Sequence, residues 1–244
     1  MSVIEKPADR EGAREAILAK VRASLGIELE APGQSGARSA IVERRIEAPP
    51  RHLTPARVLK PKADLEALFA STLVSQFASV LPASNFSDVP GAIATYLRQT
   101  NLPSVLGMGQ DPVLAALPWG VEPGLVVSPG HARPETEVSV SRAIAGAAET
   151  GTIFLASGPD NPVTLTFMPA THIVVITAND IVGPYEDAFQ VVRKLYGNGL
   201  MPRTLNLVSG PSRTADIGGK IVIGAHGPQR LAVVIVRNSR PPAA

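Results

Sequence analysis

The sequence predicts an α/β protein in which an open sheet is covered by helices and preceded by an N-terminal helical extension. Two observations lead to this class. Short apolar runs bounded by glycine and proline alternate with amphipathic helical patterns through most of the chain. The apolar runs lack a clean alternation of polar and apolar residues, which is typical of strands buried on both faces of a sheet.

The composition limits the classes of function. The 244 residues are 45% hydrophobic and 18% charged, which is enough for a sizeable core. A net charge of +2 and the lack of aromatic residues within a basic stripe give no indication of nucleic-acid binding. The absence of cysteine excludes a cysteine nucleophile and thiolate-held iron–sulfur clusters on this chain. Without a signal-peptide pattern or an apolar run of about eighteen residues, we expect a cytoplasmic protein with no membrane span.

Residues 1–60 are predicted to form an arm, and residues 61–244 the α/β domain. Apolar positions at helical spacing predict a helix from Gly12 to Leu25. Residues 31–57 contain proline, glycine, serine and arginine without periodicity, which predicts a linker. The segment from Arg38 to Lys62 has seven basic and two acidic residues. It is therefore either a solvated linker or an arm that docks on an acidic partner.

The domain is predicted to begin with two helices and to continue as alternating strands and helices. The first helix covers Lys62–Val80 and is ended by Pro82, and the second covers Val89–Gln99. A third helix runs from Pro184 to Tyr196, where Asn198 and Gly199 end it. The predicted strands are Ser104–Met108, Leu125–Ser128, Val138–Val140, Thr152–Ala156, Ile173–Thr177, Leu205–Val208, Ile221–Ile223 and Leu231–Val236.

Polar side chains are concentrated in the two turns that follow Leu205–Val208 and Ile221–Ile223. Hydroxyls and the planar guanidinium of arginine suit a carboxylate or phosphate, and glycine allows the backbone to approach a ligand closely. Because ligands gather at strand ends in open sheets, we predict a ligand pocket here. Its candidate residues are Ser209, Gly210, Ser212, Arg213, Thr214, Asp216 and His226. The same residues could instead form a tight loop, in which Ser212 caps a helical turn and Asp216 pairs with Arg213.

Three further groups of residues are candidates for chemistry. Gly107 and Gly109 follow a predicted strand and resemble half of a dinucleotide-binding fingerprint, without its full spacing. Glu149 stands before a glycine and a strand, where it is either a covalent nucleophile or a residue that caps a turn. Three histidines would suit zinc, but they lack short ligand spacing, so we expect no metal site. These histidines are His131, His172 and His226.

Three segments, in order along the chain, resemble the LUD domain family, the domain of the lactate utilization protein C type. They are Ala148–Ile153, Met168–Val175, and the run from Ser209 to Ile217 followed by Gly224–Pro228. The resemblance covers roughly residues 135–236, and it implies a sheet of the NagB/RpiA/CoA-transferase type.

The resemblance also implies a role in oxidising L-lactate to pyruvate, together with two partner proteins that carry iron–sulfur clusters. We therefore expect a non-redox subunit with no cofactor of its own, which binds a small carboxylate, regulates, or acts as a scaffold. A stand-alone enzyme for acyl, CoA or phosphate ligands is the alternative, with Glu149 as nucleophile and the turns at Gly107 and Gly210 holding anionic groups. A pure interaction module that uses the basic arm is the third interpretation.

Overall fold

Seven α-helices and twelve strands form within the residues that the computed structural model describes, namely 8–24, 37–50, 53–215 and 219–238. The helices are α1 (Ala8–Ser24), α2 (Ala37–Glu47), α3 (Lys62–Ser75), α4 (Val89–Gln99), α5 (Pro112–Ala115), α6 (Val163–Phe167) and α7 (Tyr185–Tyr196). The strands are β1 (Ser79–Asn85), β2 (Val105–Met108), β3 (Val126–Pro129), β4 (Val138–Arg142), β5 (Ala145–Ala147), β6 (Thr152–Ala156), β7 (Thr171–Thr177), β8 (Ile181–Val182), β9 (Leu205–Val208), β10 (Arg213–Thr214), β11 (Val222–Ile223) and β12 (Arg230–Asn238).

The chain divides after Pro50 into two units, and the first of them contains α1 and α2. Helix α1 lies where the apolar spacing predicts it. The prediction of an aperiodic linker over residues 31–57 is wrong for α2. The sequence of α2 contains neither proline nor glycine, and its Ala, Glu, Arg and Ile residues tolerate a helix. No helix in the described ranges has the length and apolar character needed to cross a membrane.

The centre of the second unit is a six-stranded sheet in the order β1-β12-β7-β4-β2-β3, with every neighbouring pair parallel. This arrangement confirms the predicted α/β class with an open sheet. Strands β7 and β12 lie side by side in the middle, and Leu231 is in register with His172. The predicted relation of this sheet to the NagB/RpiA/CoA-transferase type stays a prediction.

The two faces of the central sheet are covered differently. Helix α4 packs on one face, where Ile93 and Leu97 join the apolar side chains of β2, β4 and β7. Helix α3 packs on the other face, together with a second sheet in the order β8-β5-β6-β9. Helix α7 covers the far side of that second sheet through Ala188 and Val192, which belong to one apolar cluster with Phe154. The predicted strands Thr152–Ala156 and Leu205–Val208 thus pair with each other, outside the central sheet.

The segment around Pro82 differs from the prediction. Helix α3 ends at Ser75, five residues earlier than predicted, and the chain then forms strand β1. Strand β1 is at the edge of the central sheet, where Pro82 is in register with Ile235. A proline lacks the N–H that an inner strand needs, but an edge strand tolerates it on its unpaired side. Pro82 therefore lies within an edge strand, and the prediction that it ends the helix is wrong.

Candidate functional site

The two turns that the sequence singles out are joined through Ser212. After β9, the chain turns at Ser209 and Gly210 and enters β10, which pairs antiparallel with β11. The N–H of Ser212 donates to the Pro228 carbonyl (2.8 Å), and the Ser212 hydroxyl accepts from the N–H of His226 (3.2 Å). The alternative in which Ser212 caps a helical turn is wrong, because Arg213 and Thr214 form a strand.

The joined turns border a cavity of about 420 Å³, which is within the usual size range of small-molecule sites. It brings together the predicted residues Ser209, Gly210, Ser212, Arg213, Thr214 and His226. Asp216 lies outside the described residues. The other lining residues are Thr166, Phe167, His172, Leu207, Val208, Gly227, Pro228 and Leu231. The cavity is thus bordered by apolar side chains, hydroxyls, an arginine and two histidines.

Arg213 is exposed, and within the described residues its guanidinium contacts two neutral groups. The guanidinium carbon lies 4.4 Å from the centre of the Phe77 ring, and Nη2 donates to the side-chain oxygen of Gln76 (3.3 Å). Phe77 itself has a positive φ of 68° where the chain leaves α3. A cation over an aromatic face is attracted by the ring electrons, so the contact orients the guanidinium without neutralising its charge. The charge can therefore attract an anion in the cavity.

Gly210 has a structural reason to be glycine. Its φ is 130°, a conformation that other residues rarely adopt, and an added Cβ would lie 2.7 Å from the carbonyl oxygen of Gln76. The turn after β9 can therefore lie against the end of α3 only with glycine at this position. Close packing at this turn accompanies the hydrogen bond between Arg213 and Gln76.

Ser209 belongs to a cluster of four hydroxyl groups that extends into the interior. The Thr152 hydroxyl lies 2.6 Å from that of Ser209, 2.5 Å from Tyr185 and 2.7 Å from Thr150. A hydroxyl donates one hydrogen bond and accepts two, so Thr152 is saturated. The four groups have four protons for three bonds, so one proton remains for a partner outside the cluster. If Ser209 accepts from Thr152, its own proton can be donated into the cavity.

His172 and Thr166 are cavity residues that the predicted set of ligand residues does not include. His172 is completely buried at the second position of β7, and its Nε2 lies 3.1 Å from the Ser141 hydroxyl. Burial lowers the pKa of the His172 imidazole to about 4, so the ring is neutral at pH 7. Nδ1 of His172 and Oγ1 of Thr166 are buried without a hydrogen-bond partner in the described chain. Such an atom costs about 1–3 kcal/mol.

The cavity lies at a different end of the central sheet from the ligand sites of most open α/β sheets. His172 and Leu231 are the second residues of β7 and β12, so the cavity lies at the amino ends of two parallel strands. Ligands of open α/β sheets bind at the carboxyl ends in most cases. The sequence does contain a signal for His172, because a histidine beside the apolar run Ile173–Ile176 requires a polar partner inside the core.

The remaining candidates lie elsewhere. Glu149 is in a turn, where its carboxylate faces Arg57 at 3.7 Å, and it is not among the cavity's lining residues. Gly109 packs on backbone, since an added Cβ would lie 2.1 Å from the carbonyl oxygen of Asp160. Gly107 would meet a Thr136 methyl at 2.8 Å. Close packing accounts for both glycines without a nucleotide.

No metal centre emerges from the part of the chain that the structure describes. Those residues contain no group of three or more His, Asp or Glu side chains that could hold one ion. His131 is exposed in the loop after β3, while His172 and His226 border the cavity.

Comparison with known proteins identifies the family. Residues 87–236 match the LUD domain, and the match includes every residue that lines the cavity. An uncharacterized protein of Neisseria meningitidis serogroup B is 37% identical over 100 residues, which are 41% of this chain and 42% of that protein. Lactate utilization protein C of Bacillus subtilis is 34% identical over 90 residues, 36% of this chain and 38% of that protein. The Geobacillus sp. protein of the same name is 36% identical over 90 residues, 36% of this chain and 37% of that protein.

A solved structure extends the comparison to the fold. The DUF162 family protein of Deinococcus radiodurans superimposes with a TM-score of 0.56 and 25% identity, over 72% of this chain and 99% of that one. The curated relatives are matched over about two fifths of their length, whereas the LUD domain match covers more than half of this chain. The resemblance predicted from three sequence segments is confirmed, and the chain belongs to the LUD domain family.

Proposed function

We propose that this protein serves lactate utilization as a ligand-binding subunit of an assembly that oxidises L-lactate to pyruvate. Its membership of the LUD domain family and the name of its relatives, lactate utilization protein C, support the proposal. Taking electrons from lactate requires an acceptor cofactor that ordinary side chains do not supply. Because the 244 residues contain no cysteine, we assign the iron–sulfur clusters of that assembly to partner subunits.

The observation that carries the ligand-binding part is the meeting of Ser209, Ser212 and Arg213 at one cavity. A guanidinium presents paired N–H donors in a planar fork, which matches the two oxygens of a carboxylate. The contacts of Arg213 with Phe77 and Gln76 orient this fork before a ligand arrives. Preorganisation of this kind lowers the entropy cost of binding. We therefore propose Arg213 as the carboxylate clamp, with the serine hydroxyls as secondary donors.

Isothermal titration calorimetry of the full chain with L-lactate and with pyruvate tests this assignment. We expect both acids to bind and Arg213→Ala to weaken each by roughly 10- to 100-fold, because a hydrogen bond to a charged group is lost. Arg213→Lys retains the charge but loses the planar fork, so its affinity for each acid should lie between those of the wild type and Arg213→Ala.

Arg203→Ala is the matched control, since Arg203 is an exposed arginine outside the cavity lining. It should bind both acids as the wild type does. Unchanged binding by Arg213→Ala would contradict the role of Arg213 as the carboxylate clamp. A wild-type protein that binds neither acid would contradict the proposed function.

The assembly is tested separately, by isolating the tagged full chain from its own organism grown on lactate. We expect iron-containing partner proteins to be isolated with it in fixed proportion. A chain that is recovered alone under gentle conditions would contradict membership of the assembly.

A further inference from the structure

The cavity has a second set of polar groups at its buried side. His172 and Thr166 are 0% and 1% exposed, and both residues line the cavity. Nδ1 of His172 and Oγ1 of Thr166 have no hydrogen-bond partner among the described residues. Buried polar atoms are nearly always hydrogen-bonded in folded proteins. Two such atoms beside one cavity are therefore suited to a ligand.

The chemistry of these atoms restricts the ligand group that suits them. A neutral imidazole has one N–H and one lone pair, and Nε2 of His172 uses one of these with Ser141. Nδ1 thus offers the other, and it accepts or donates according to the tautomer. The Thr166 hydroxyl can do both. A ligand hydroxyl can pair with Nδ1 whether that nitrogen donates or accepts. A carbonyl oxygen can pair with Nδ1 only in the tautomer in which Nδ1 donates.

The two sides of the cavity therefore differ in charge. Arg213, with Ser209 and Ser212, gives the exposed side a positive charge and hydroxyl donors, whereas His172 and Thr166 are uncharged. Phe167, Leu207 and Leu231 add apolar surface for a carbon chain. A ligand that satisfies the whole cavity has a carboxylate and, on the same carbon skeleton, a neutral oxygen.

We infer that His172 and Thr166 are specificity-determining residues that bind the hydroxyl or carbonyl oxygen of a hydroxy or oxo acid. The inference deepens the proposed function and rests on it, because the same ligand's carboxylate is assigned to Arg213. It also predicts what the site rejects. An acid of equal size without the second oxygen leaves both buried atoms unsatisfied, and sites built around such atoms discriminate strongly.

Binding of matched acids to the wild-type full chain tests the inference without any substitution. L-Lactate and propionate are three-carbon carboxylates that differ in the hydroxyl group. We expect lactate to bind at least about tenfold more tightly, because only lactate satisfies the buried atoms. Equal affinities, both reduced by Arg213→Ala, would overturn the inference and leave the proposed function standing. If neither acid binds, the proposed function and the inference both fail.

A conservative substitution gives the second test. Thr166→Val keeps the shape of the side chain but removes the hydroxyl, so the preference for lactate should fall while propionate affinity is retained. Thr171→Val is the matched control, because Thr171 has another buried hydroxyl without a partner in the described residues and does not line the cavity. A lower preference in both variants, or in neither, would contradict a specific role of Thr166.

Nitrogen NMR of the histidine rings reads the His172 contact directly in the wild-type protein. Lactate should shift the Nδ1 resonance of His172, whereas propionate at equal occupancy should leave it in place. A Nδ1 resonance that responds to neither acid, or equally to both, would overturn the role of His172.

Discussion

The hydroxyl oxygens of Thr152 and Ser209 lie 2.6 Å apart, although the residues are 57 positions apart in the sequence. Thr152 is fully buried in β6, and Ser209 borders the cavity. The contact joins the first and third of the segments that resemble the LUD domain. It gives a physical reason why both segments contain hydroxyl residues, since each provides half of one hydrogen-bonded cluster.

A double-mutant cycle measures this contact. Thr152→Val and Ser209→Ala should each reduce the free energy of unfolding, and the two effects should be coupled by about 1 kcal/mol, as for a partly buried hydrogen bond. Denaturant titration of the four proteins gives the coupling. Ser75→Ala, which removes an exposed hydroxyl bonded within α3, is the control and should show no coupling to Thr152→Val. Strictly additive effects of Thr152→Val and Ser209→Ala would argue against the contact.

Gly210→Ala should destabilise the fold by about 1–3 kcal/mol, because alanine would adopt a strained backbone conformation. The added methyl group would also press on the Gln76 carbonyl at 2.7 Å. Gly120→Ala is the control, since an added Cβ there meets nothing within 4 Å. Thermal or denaturant unfolding of both variants checks the prediction, and equal stabilities would show that the turn does not require glycine.

His172 should make stability depend on pH. Its pKa is lowered to about 4 by burial, whereas the unfolded chain has the ordinary value of 6.5. Between these values the unfolded chain binds a proton that the folded chain does not, so stability is lost as the pH falls. From pH 7 to pH 5 we expect His172 to account for a loss of about 2 kcal/mol.

Denaturant titrations at both pH values, for the wild type and for His172→Gln, isolate that contribution. The variant should lose less stability on acidification than the wild type. His226→Gln, which changes an exposed histidine, should behave as the wild type does. The same loss in His172→Gln as in the wild type would mean that the imidazole does not control the pH dependence.

Asp111 holds the start of α5 against the end of β4. Its carboxylate accepts from the N–H groups of Val113 and Leu114, both at 3.0 Å, and from Nε of Arg142 at 2.8 Å. Asp111→Ala removes the cap and leaves Arg142 without this partner, so the free energy of unfolding should fall by about 2–4 kcal/mol.

One further variant separates the cap from the ion pair of Asp111, and a second is the control. Asp111→Asn can still cap the helix, so it should cost less than Asp111→Ala. Glu135→Ala, at an exposed carboxylate, should change stability by less than about 0.5 kcal/mol. Equal losses in the two Asp111 variants would assign the whole effect to the ion pair.

Local sequence predicts the elements whose apolar runs end at clear turns. Strand β9 occupies the predicted Leu205–Val208, and β6 occupies Thr152–Ala156. Strand β1 escapes the prediction because its place at the sheet edge, which tolerates Pro82, is decided by pairing with β12 at the far end of the chain. Helix α2 escapes it because proline and glycine stand on both sides of it, which gives the surrounding segment the composition of a loop.

In the candidate site, too, features set by local sequence are predictable and features set by distant parts of the chain are not. Ser209, Ser212 and Arg213 are predictable, since hydroxyl and guanidinium side chains follow the apolar run of β9 within five residues and are visible as one group in the sequence. Thr166 and the cavity role of His172 are not, because they depend on where β7, α6 and β9 meet in three dimensions. For Glu149 the sequence leaves both a nucleophile and a turn-capping residue open, and the structure places its carboxylate opposite Arg57.

A crystal structure of the full chain with L-lactate tests the central claim most directly. We predict electron density for the acid in the cavity between Ser209–Arg213 and Gly224–Pro228, with its carboxylate on the Arg213 guanidinium and its hydroxyl directed to His172. Well-ordered lactate at another site, or a cavity that stays empty of the acid at saturating concentration, would contradict the account.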